Sequence, residues 1–325
     1  MVLLQVPEIL LLSLLLSFAA AFLAVPFVMR NSRRVGLTGK DQNKPDRREV
    51  PEMGGIAIVF AISLGFLTAI ALGYNNDGID KVLLLGSLGT VLSMGLLGAV
   101  DDVFALKKSV KAPIPFLSAI PLSAVRAGHR IMNLPFAGSV NLGAWYPLAV
   151  VPLGVGGASN AFNMLAGLNG LEAGMGIIIS LAIALAALHT GAVEALVISV
   201  SLLGALLAFL YYNRYPAKVF PGDAGTYTIG ATIACAVIVG NLELLGVALF
   251  VPYFFELALK ARTGLRGQSF GIVQQDGTLK PPAKKTSLTH FAMSVGRLKE
   301  PQVVGVLLAM ECLVAVTALA ALFVR

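Results

Sequence analysis

The chain has 325 residues, of which 57% are hydrophobic and only 13% are charged. Soluble domains carry roughly 25% charged residues, so this composition excludes a water-soluble fold of this length. The net charge of +7 could suggest a nucleic-acid partner, but the basic residues are grouped between apolar runs, which is typical of membrane orientation. We therefore expect an all-α, polytopic integral membrane protein that binds no nucleic acid.

Ten apolar segments are candidate transmembrane helices. They cover approximately residues 3–29, 54–73, 82–100, 113–125, 145–163, 171–189, 193–212, 225–240, 242–259 and 302–324. The fourth is short and contains three prolines, so a re-entrant segment is its alternative. No linker marks a second domain, and residues 1–325 are expected to form one transmembrane domain.

The distribution of charge favours ten spans. With ten, the loops that follow the odd-numbered spans share one side, and they carry 20 of the 24 Lys and Arg residues. Without the fourth span, the basic segments 30–53 and 260–301 would lie on opposite sides, against the positive-inside rule. We therefore expect both termini outside and a cytoplasmic insertion at about 260–301.

The polar residues of this side begin in "LLGAVDDVFALKKSVK", residues 96–111. Two adjacent carboxylates, Asp101 and Asp102, follow an apolar run, and Lys111 follows them. A solvated helix cap is the simpler interpretation. The functional one is an anion and metal site, in which carboxylates position a cation and Lys111 is a point charge for phosphate.

Two further segments bring polar residues to the same side. In "SNAFNMLAGLNGLEAG", residues 159–174, Asn160 and Asn163 share a helix face next to a glycine-rich break, although asparagines also serve simple helix packing. In "NRYPAKVFPGDAGTYTIGA", residues 213–231, Asp223 precedes a helix. It is suited to an N-cap, and a capping carboxylate can also face a metal.

The insertion is expected to carry a short hairpin and an amphipathic helix. Asp276-Gly277 lies between extended residues and predicts the hairpin turn. "SLTHFAMSVGRLKE", residues 287–300, predicts a helix whose apolar face holds Leu288, Phe291, Ala292, Val295 and Leu298. His290, Ser294 and Arg297 fall on its polar face. His290 and Arg297 could meet a sugar or phosphate, or they could be ordinary surface residues.

At these residues the chain resembles the polyprenyl-phosphate N-acetylhexosamine-1-phosphate transferases. The resemblance is carried by "KPDRREVPEMGG", "GAVDDVFALKKSVK", "NAFNMLAGLNGLEAG" and "NRYPAKVFPGDAG". It is strongest to the eukaryotic and archaeal branch that uses UDP-GlcNAc and dolichyl phosphate. Ala105 departs from the asparagine of the eukaryotic enzymes. The histidine motif of the last cytoplasmic loop has no clean counterpart, and the triple histidine of the phospho-MurNAc-pentapeptide transferases is absent.

The resemblance implies a glycosyl-1-phosphate transferase. It would move GlcNAc-1-phosphate from UDP-GlcNAc to a polyprenyl (dolichyl) phosphate, release UMP and initiate glycan assembly, as in N-glycosylation. Its site would lie on the cytoplasmic face of the cell membrane, or of the endoplasmic reticulum membrane in a eukaryote. The resemblance also suggests a homodimer.

The resemblance also implies roles for individual residues. Asn163 and Asp223 would be ligands of Mg²⁺, with Mn²⁺ as an alternative. Asp101, Asp102 and Lys111 would be catalytic, with the aspartates orienting the lysine and the acceptor. Those expected at the nucleotide are Glu52, Gly167, Asn169 and Phe220; those expected at the sugar or phosphate are Glu172, His290 and Arg297.

Other functions are kept open. Within the family, the donor could be another UDP-N-acetylhexosamine or UDP-MurNAc-pentapeptide. A degenerate homologue that only binds nucleotide or lipid is disfavoured by the intact polar residues. From a different class, a secondary transporter is suggested by Glu311, an ionisable residue near the middle of the last span. Against transport, the polar residues gather at one surface rather than at the midplane.

Overall fold

The structure, a computed structural model, describes residues 5–74, 78–111, 113–134 and 138–324; residues 3 and 4 of the expected first span lie outside these ranges. The helices are α1 (Val6–Arg34), α2 (Gly55–Leu72), α3 (Lys81–Phe104), α4 (Lys108–Lys111), α5 (Ile114–Leu117), α6 (Ile120–Ala124), α7 (Val151–Leu165, entered through a π-turn at Tyr146–Val150), α8 (Leu171–Thr190), α9 (Val193–Asn213), α10 (Gly222–Val239), α11 (Glu243–Leu249), α12 (Val251–Ala261), α13 (Leu288–Ala292) and α14 (Glu300–Phe323).

The expectation of a polytopic, mostly helical membrane protein is confirmed. Within the described residues, eight helices are long and apolar enough to cross a bilayer, and α11 and α12 pass the same test as a pair bent by 54°. Helices suit this role because every backbone polar group inside a span must be satisfied within the segment. The bent pair begins its second half at Val251, where Pro252 occupies the first turn and removes a backbone donor.

The expected fourth span, 113–125, is wrong as a continuous helix. It consists of α5 and α6, of four and five residues, because Pro115 and Pro121 each restart the chain at a first helical turn. The segment nevertheless passes from one end of the bundle to the other. Lys111 contacts Asp223 at the start of α10, and the His129 backbone amide bonds Asn241 just beyond its end. Those ends lie about 27 Å apart along the helix.

Helix α10 is the centre of the bundle, and almost all of its residues are buried. Two neighbouring helices pack so closely against the first turn of α10 that their backbones contact its backbone. Gly98 of α3 lies against the Ala224 backbone, and Gly55 of α2 lies against Gly225. Small residues are needed here because lipid-embedded helices associate through close van der Waals packing. The result places the ends of α2 and α3 around the start of α10.

Three small sheets lie outside the spans. β1 (Thr38–Lys40) pairs with β2 (Glu49–Pro51), and β3 (Ile131–Leu134) pairs with β4 (Gly138–Asn141). In the third sheet, β5 (Ile272–Val273), β6 (Thr278–Lys280) and β7 (Leu298–Lys299) are antiparallel neighbours. The hairpin expected at Asp276-Gly277 is therefore confirmed, whereas β7 was not expected.

The amphipathic helix expected at 287–300 is wrong in length, and its expected apolar face is only partly buried. The observed α13 has five residues, so His290 and Arg297 do not share a helix face. Of the expected apolar face, Ala292 is buried, but Phe291 is 47% and Val295 is 72% exposed. Of the expected polar face, His290 is buried, whereas Ser294 and Arg297 are exposed. Buried Glu256 holds the start of this short helix by accepting hydrogen bonds from Ser287 Oγ and the Leu288 amide.

Candidate active site

The two aspartates that end α3 have different partners. The Asp102 carboxylate accepts hydrogen bonds from the backbone amides of Asp223, at 2.6 Å, and Ala224, at 3.1 Å. It therefore caps the start of α10 from another helix and satisfies amides that α10 itself leaves free. Gly222 has φ +66°, and a Cβ there would lie 2.5 Å from an Asp102 oxygen. A glycine is required at this contact.

Asp101 has a different partner and pairs with Lys111. The Lys111 ammonium lies 2.7 Å from Asp101 Oδ2 and 3.0 Å from Asp223 Oδ2. The other Asp101 oxygen accepts the Leu106 amide at 2.9 Å, which fixes the turn after α3. Burial alone would lower the pKa of Lys111, but the hydrogen bond to Asp101 and the charge of Asp223 raise it above its ordinary value. The lysine is thus a fixed positive charge between two carboxylates.

Asn163 reaches the same carboxylate from the end of α7. Its amide nitrogen donates to Asp223 Oδ1 and, at 3.0 Å, to Thr226 Oγ1. The sequence places Asn163 and Asp223 sixty residues apart, yet the packing of α7 against α10 joins them. The structure thereby gathers the predicted residues Asp101, Lys111, Asn163 and Asp223 at one point.

Asp223 lies between two adjoining cavities. One, of about 290 Å³, is lined by predicted nucleotide residues Glu52, Gly167 and Phe220 and by Asn163. The other, of about 390 Å³, is lined by Asp101, Asp102 and Lys111. Glu52, Gly222 and Asp223 belong to both. The arrangement offers two neighbouring compartments that meet at one carboxylate.

Glu52 is brought to the site by backbone pairing between two distant segments. The Phe220 amide bonds the Pro51 carbonyl, and the Gly54 and Gly55 amides bond the carbonyls of Phe220 and Pro221. Glu52 and Phe220 therefore enter the cavity side by side. Burial and the nearby charge of Asp223 raise the pKa of Glu52 above its ordinary value.

The loop between α7 and α8 forms another wall of the 290 Å³ cavity. Glu172 is buried and accepts the Gly167 amide at 2.7 Å, so its carboxylate holds the loop as well as lining the cavity. Asn169 is turned inward and does not line this cavity. Its Oδ1 accepts the Ala217 amide at 2.8 Å and the Lys44 ammonium at 3.3 Å. Its side-chain oxygen therefore holds neighbouring segments together.

Sequence reasoning missed a buried ionic network beneath this loop. Lys44 is only 7% exposed. It pairs with Asp41 at 3.2 Å and with Glu300 at the start of α14. Glu300 also accepts the Asn169 amide at 2.7 Å. The signal available was the group Asp41, Asn43, Lys44 in a short loop, but loop charges are usually solvated, and only the fold shows that they are covered.

Two of the residues predicted to meet sugar or phosphate lie elsewhere. His290 is buried and uses both ring nitrogens within the insertion: Nδ1 accepts the Thr286 amide at 3.1 Å, and Nε2 lies 3.0 Å from the Phe270 carbonyl. This contradicts the prediction of direct contact with substrate, because neither nitrogen is left for a ligand. Arg297 is exposed and lines neither cavity.

The oxygen donors fit a magnesium ion that also uses substrate phosphate. Among the described residues, no group of three or more His, Cys, Asp and Glu side chains could hold a metal by itself. Asp223 and Asn163, however, place one carboxylate and one amide at the wall of the 290 Å³ cavity. Mg²⁺ is commonly bound through one or two carboxylates together with phosphate oxygens and water.

Comparison with known proteins identifies relatives of this chain. The sequence model described as Glycosyl transferase family 4 matches residues 84–241. A Saccharolobus solfataricus protein, provisionally named a UDP-N-acetylglucosamine–dolichyl-phosphate N-acetylglucosaminephosphotransferase, is 41% identical over 310 residues, which is 95% of each chain. The Schizosaccharomyces pombe enzyme of that name is 27% identical over 304 residues, 80% of this chain and 67% of its own.

A second branch is also similar. The phospho-N-acetylmuramoyl-pentapeptide-transferase of Shouchella clausii is 33% identical over 253 residues, 73% of this chain and 76% of its own. The matched region 84–241 contains Asp101, Lys111, Asn163 and Asp223, the residues that meet at the site. The chain therefore belongs to glycosyl transferase family 4 and is a multi-pass membrane glycosyltransferase.

Proposed function

We propose that this protein transfers GlcNAc-1-phosphate from UDP-GlcNAc to a polyprenyl phosphate such as dolichyl phosphate, with release of UMP. The observation that carries the proposal is the position of Asp223. It contacts Lys111 and Asn163 and forms the common wall of a nucleotide-sized cavity and a second cavity lined by acid and lysine side chains. Donor pyrophosphate and acceptor phosphate can meet there.

The reaction is a phosphoryl transfer. An oxygen of the lipid phosphate attacks the phosphorus that carries the sugar, and the bond from that phosphorus to the bridging oxygen breaks, so UMP leaves with the electron pair. A phosphate monoester has a second pKa of about 6, so the attacking oxygen needs no general base at neutral pH. Catalysis then rests on positioning and charge neutralisation.

The residues divide this work. Lys111 supplies a positive charge where anionic phosphates converge, and Asp101 holds its ammonium in place. Asp102 fixes the start of α10 and so the position of Asp223. Asn163 and Asp223 would hold Mg²⁺ or Mn²⁺, which when bound neutralises the pyrophosphate charge. Glu52, Gly167 and Phe220 line the cavity for the nucleotide.

An apolar cavity supports the lipid as acceptor. It has a volume of about 560 Å³ and lies between α7, α10 and the bent pair α11–α12. Asn160 and Met164, near the site end of α7, line it together with Glu243 at the opposite end of the bundle. A chain held there would run along the bundle and place its phosphate close to Asn163.

The proposal extends to location. Loops at the site end carry 20 of the 24 basic residues, and by the positive-inside rule this supports a site on the cytoplasmic face of the cell membrane, or of the endoplasmic reticulum membrane in a eukaryote. We propose one transferase domain over residues 1–325. The homodimer suggested by the resemblance stays a prediction.

The test is UMP release by the purified protein in detergent. Dolichyl phosphate would be supplied with UDP-GlcNAc, UDP-GalNAc or UDP-MurNAc-pentapeptide, with Mg²⁺, with Mn²⁺, and with chelator. We expect metal-dependent release with UDP-GlcNAc and formation of lipid pyrophosphate-GlcNAc. Release with another donor alone would correct the sugar, and no release with any donor would refute the transferase proposal.

One observation favours transport as a second candidate. Glu311 of α14 is fully buried, and neither carboxylate oxygen has a hydrogen-bond partner among the described residues. A buried ionisable residue within a span is a sign of function. Glu311→Gln separates the candidates: a transferase retains UMP release, whereas a transporter loses substrate flux into liposomes that contain the variant.

A further inference from the structure

A second aromatic side chain lines the nucleotide cavity besides Phe220. Phe270 comes from the insertion, residues 262–299 between α12 and α14, and it is the other aromatic residue among the described lining residues. Its ring lies directly against Gly167: with φ +133° at that glycine, an added Cβ would be 2.9 Å from the Phe270 ring. Gly167 therefore has two constraints, its backbone conformation and the space that Phe270 fills.

The backbone around Phe270 is held at three consecutive residues. The Ser269 carbonyl accepts Thr289 Oγ1 at 2.6 Å, the Phe270 carbonyl lies 3.0 Å from His290 Nε2, and the Gly271 amide donates to Asn43 Oδ1 at 3.1 Å. Side chains supply all three bonds. A loop that served only as a connection would not need this fixation.

Asn43 joins the two surfaces that meet at the ring. Its Oδ1 accepts the Gly271 amide, and its Nδ2 donates to the Gly167 carbonyl at 3.0 Å. The loop bearing Gly167 and the insertion bearing Phe270 are therefore tied to one side chain. Asn43 is itself buried, so water does not compete for these bonds.

His290 supports Phe270 from the other side. Because its Nδ1 accepts the Thr286 amide, its proton is on Nε2 and is donated to the Phe270 carbonyl. Burial lowers the pKa of His290, which keeps the ring neutral and this pattern intact at neutral pH. His290, which the sequence pattern predicted to contact substrate, therefore acts indirectly by supporting Phe270.

We propose that Phe270 is a nucleotide-binding residue that, with Phe220, forms the aromatic walls contacting the pyrimidine base of the donor, and that Asn43 and His290 are its positioning residues. The inference rests on the proposed function, since it names a further contact at that donor site. Aromatic side chains stack on bases through their faces, and removal of one such ring weakens binding by about 5- to 150-fold.

The kinetic test replaces Phe270 and leaves the rest of the insertion unchanged. For Phe270→Ala we expect the KM for UDP-GlcNAc to rise by about 10-fold or more, while kcat and the KM for dolichyl phosphate change little. Phe270→Tyr should retain the wild-type KM, and Phe270→Leu should fall between them. The matched control is Phe291→Ala, an exposed phenylalanine of the same insertion that lines neither cavity.

The positioning residues are tested by conservative rescue. Asn43→Ala should raise the KM for UDP-GlcNAc as Phe270→Ala does, and Asn43→Asp should recover part of it because an acceptor for the Gly271 amide remains. In the double variant, Asn43→Ala should add less to the loss of Phe270→Ala than it causes alone, because only its bond to the Gly167 carbonyl is still lost. Fully additive losses would show that Asn43 does not act through Phe270.

Binding is measured separately from turnover. The chain has one tryptophan, Trp145, so Phe270→Trp in a Trp145→Phe background has a single indole at the proposed wall. UMP should change its fluorescence and saturate, whereas the indole of Phe291→Trp in the same background should not respond. If wild type releases UMP but Phe270→Ala has an unchanged KM and the indole is silent, the inference is wrong. If wild type releases no UMP from any donor while UMP still changes the indole fluorescence, the proposed function fails and nucleotide contact at Phe270 stands.

Discussion

The two ends of α10 are both surrounded by polar groups, but they use them differently. At the start of the helix, Asp223 is shared by Lys111 and Asn163, and its side chain remains 25% exposed to the adjoining cavities. At the other end, Asn241 accepts the His129 amide at 2.6 Å, and the Tyr146 hydroxyl donates to Glu243. The second set holds loops together without a cluster of opposed charges.

The difference follows from what each end must do. Several carboxylates around one ammonium are costly to assemble without a ligand of high charge, whereas neutral and single-charge hydrogen bonds suffice to close a loop. We therefore infer that the start of α10, where charge is concentrated beside a cavity, is the functional end of this bundle. Substitutions at the two ends should separate catalysis from stability.

The largest effect is expected at Asp223. Asp223→Ala removes the carboxylate that Lys111 and Asn163 share, and we expect UMP release to fall by at least about 1000-fold. Folding should survive, because Lys111 keeps its ion pair with Asp101. The measurement is turnover together with the melting temperature in detergent. A folded variant with wild-type turnover would remove Asp223 from the reaction.

Lys111→Ala should have the second largest effect on turnover. We expect a loss of about 100-fold in kcat, because the variant removes one preorganised positive charge from the phosphates. Lys111→Arg should recover only part, because a planar guanidinium does not replace a compact ammonium between two carboxylates. The matched control is Lys107→Ala, an exposed lysine on the same loop. Equal rates in both alanine variants would make Lys111 an ordinary surface charge.

Lys44→Ala tests the network beneath the nucleotide cavity. It leaves the buried carboxylates of Asp41 and Glu300 without their cation, which costs about 3–5 kcal/mol in comparable sites. We expect a lower melting temperature and a KM for UDP-GlcNAc raised by about 10-fold, because Asn169 loses a partner. Lys44→Met combined with Glu300→Gln should restore part of the stability. Arg33→Ala, at an exposed basic residue, should change neither quantity.

The insertion should lose stability in acid. Burial holds the pKa of His290 below 6.5, so the unfolded state binds more protons than the folded state between the two values. Stability is therefore fully present above pH 6.5 and falls as the pH decreases through that range. Glu256 and Lys260 are the charged neighbours of the ring. His290→Gln should melt lower at pH 7.5 and show a flatter dependence between pH 7 and 5.5; an unchanged slope would assign the acid sensitivity to other groups.

The smallest effect is expected at the opposite end. Asn241→Ala removes the bond to the His129 amide and places alanine at φ +51°, a conformation that disfavours a side chain by about 1–2 kcal/mol. The melting temperature should fall by a few degrees, with turnover within about twofold of wild type. Asn241→Gly should recover only the part of the melting temperature that is lost to the strained backbone conformation, because the hydrogen bond to the His129 amide is still missing. A large loss of turnover would show that the two ends are not separable.

The sequence by itself determined the spans, their common polar side and the hairpin at Asp276-Gly277. Hydropathy predicts spans because the bilayer demands long apolar helices, and an Asp-Gly turn is a local conformational preference. The same local signals failed at 113–125, where prolines split a crossing segment, and at 287–300, where the helix ends after five residues and two of the predicted apolar residues are exposed.

Only the tertiary structure decided which polar group meets which. Asp101 takes Lys111 while its neighbour Asp102 caps α10, Lys44 is buried rather than solvated, and Phe270 reaches Gly167 from the insertion. Periodicity and propensity describe neighbours along the chain, whereas these partners are separated by up to 256 residues. Their pairing depends on how the helices pack and on which charges that packing removes from water.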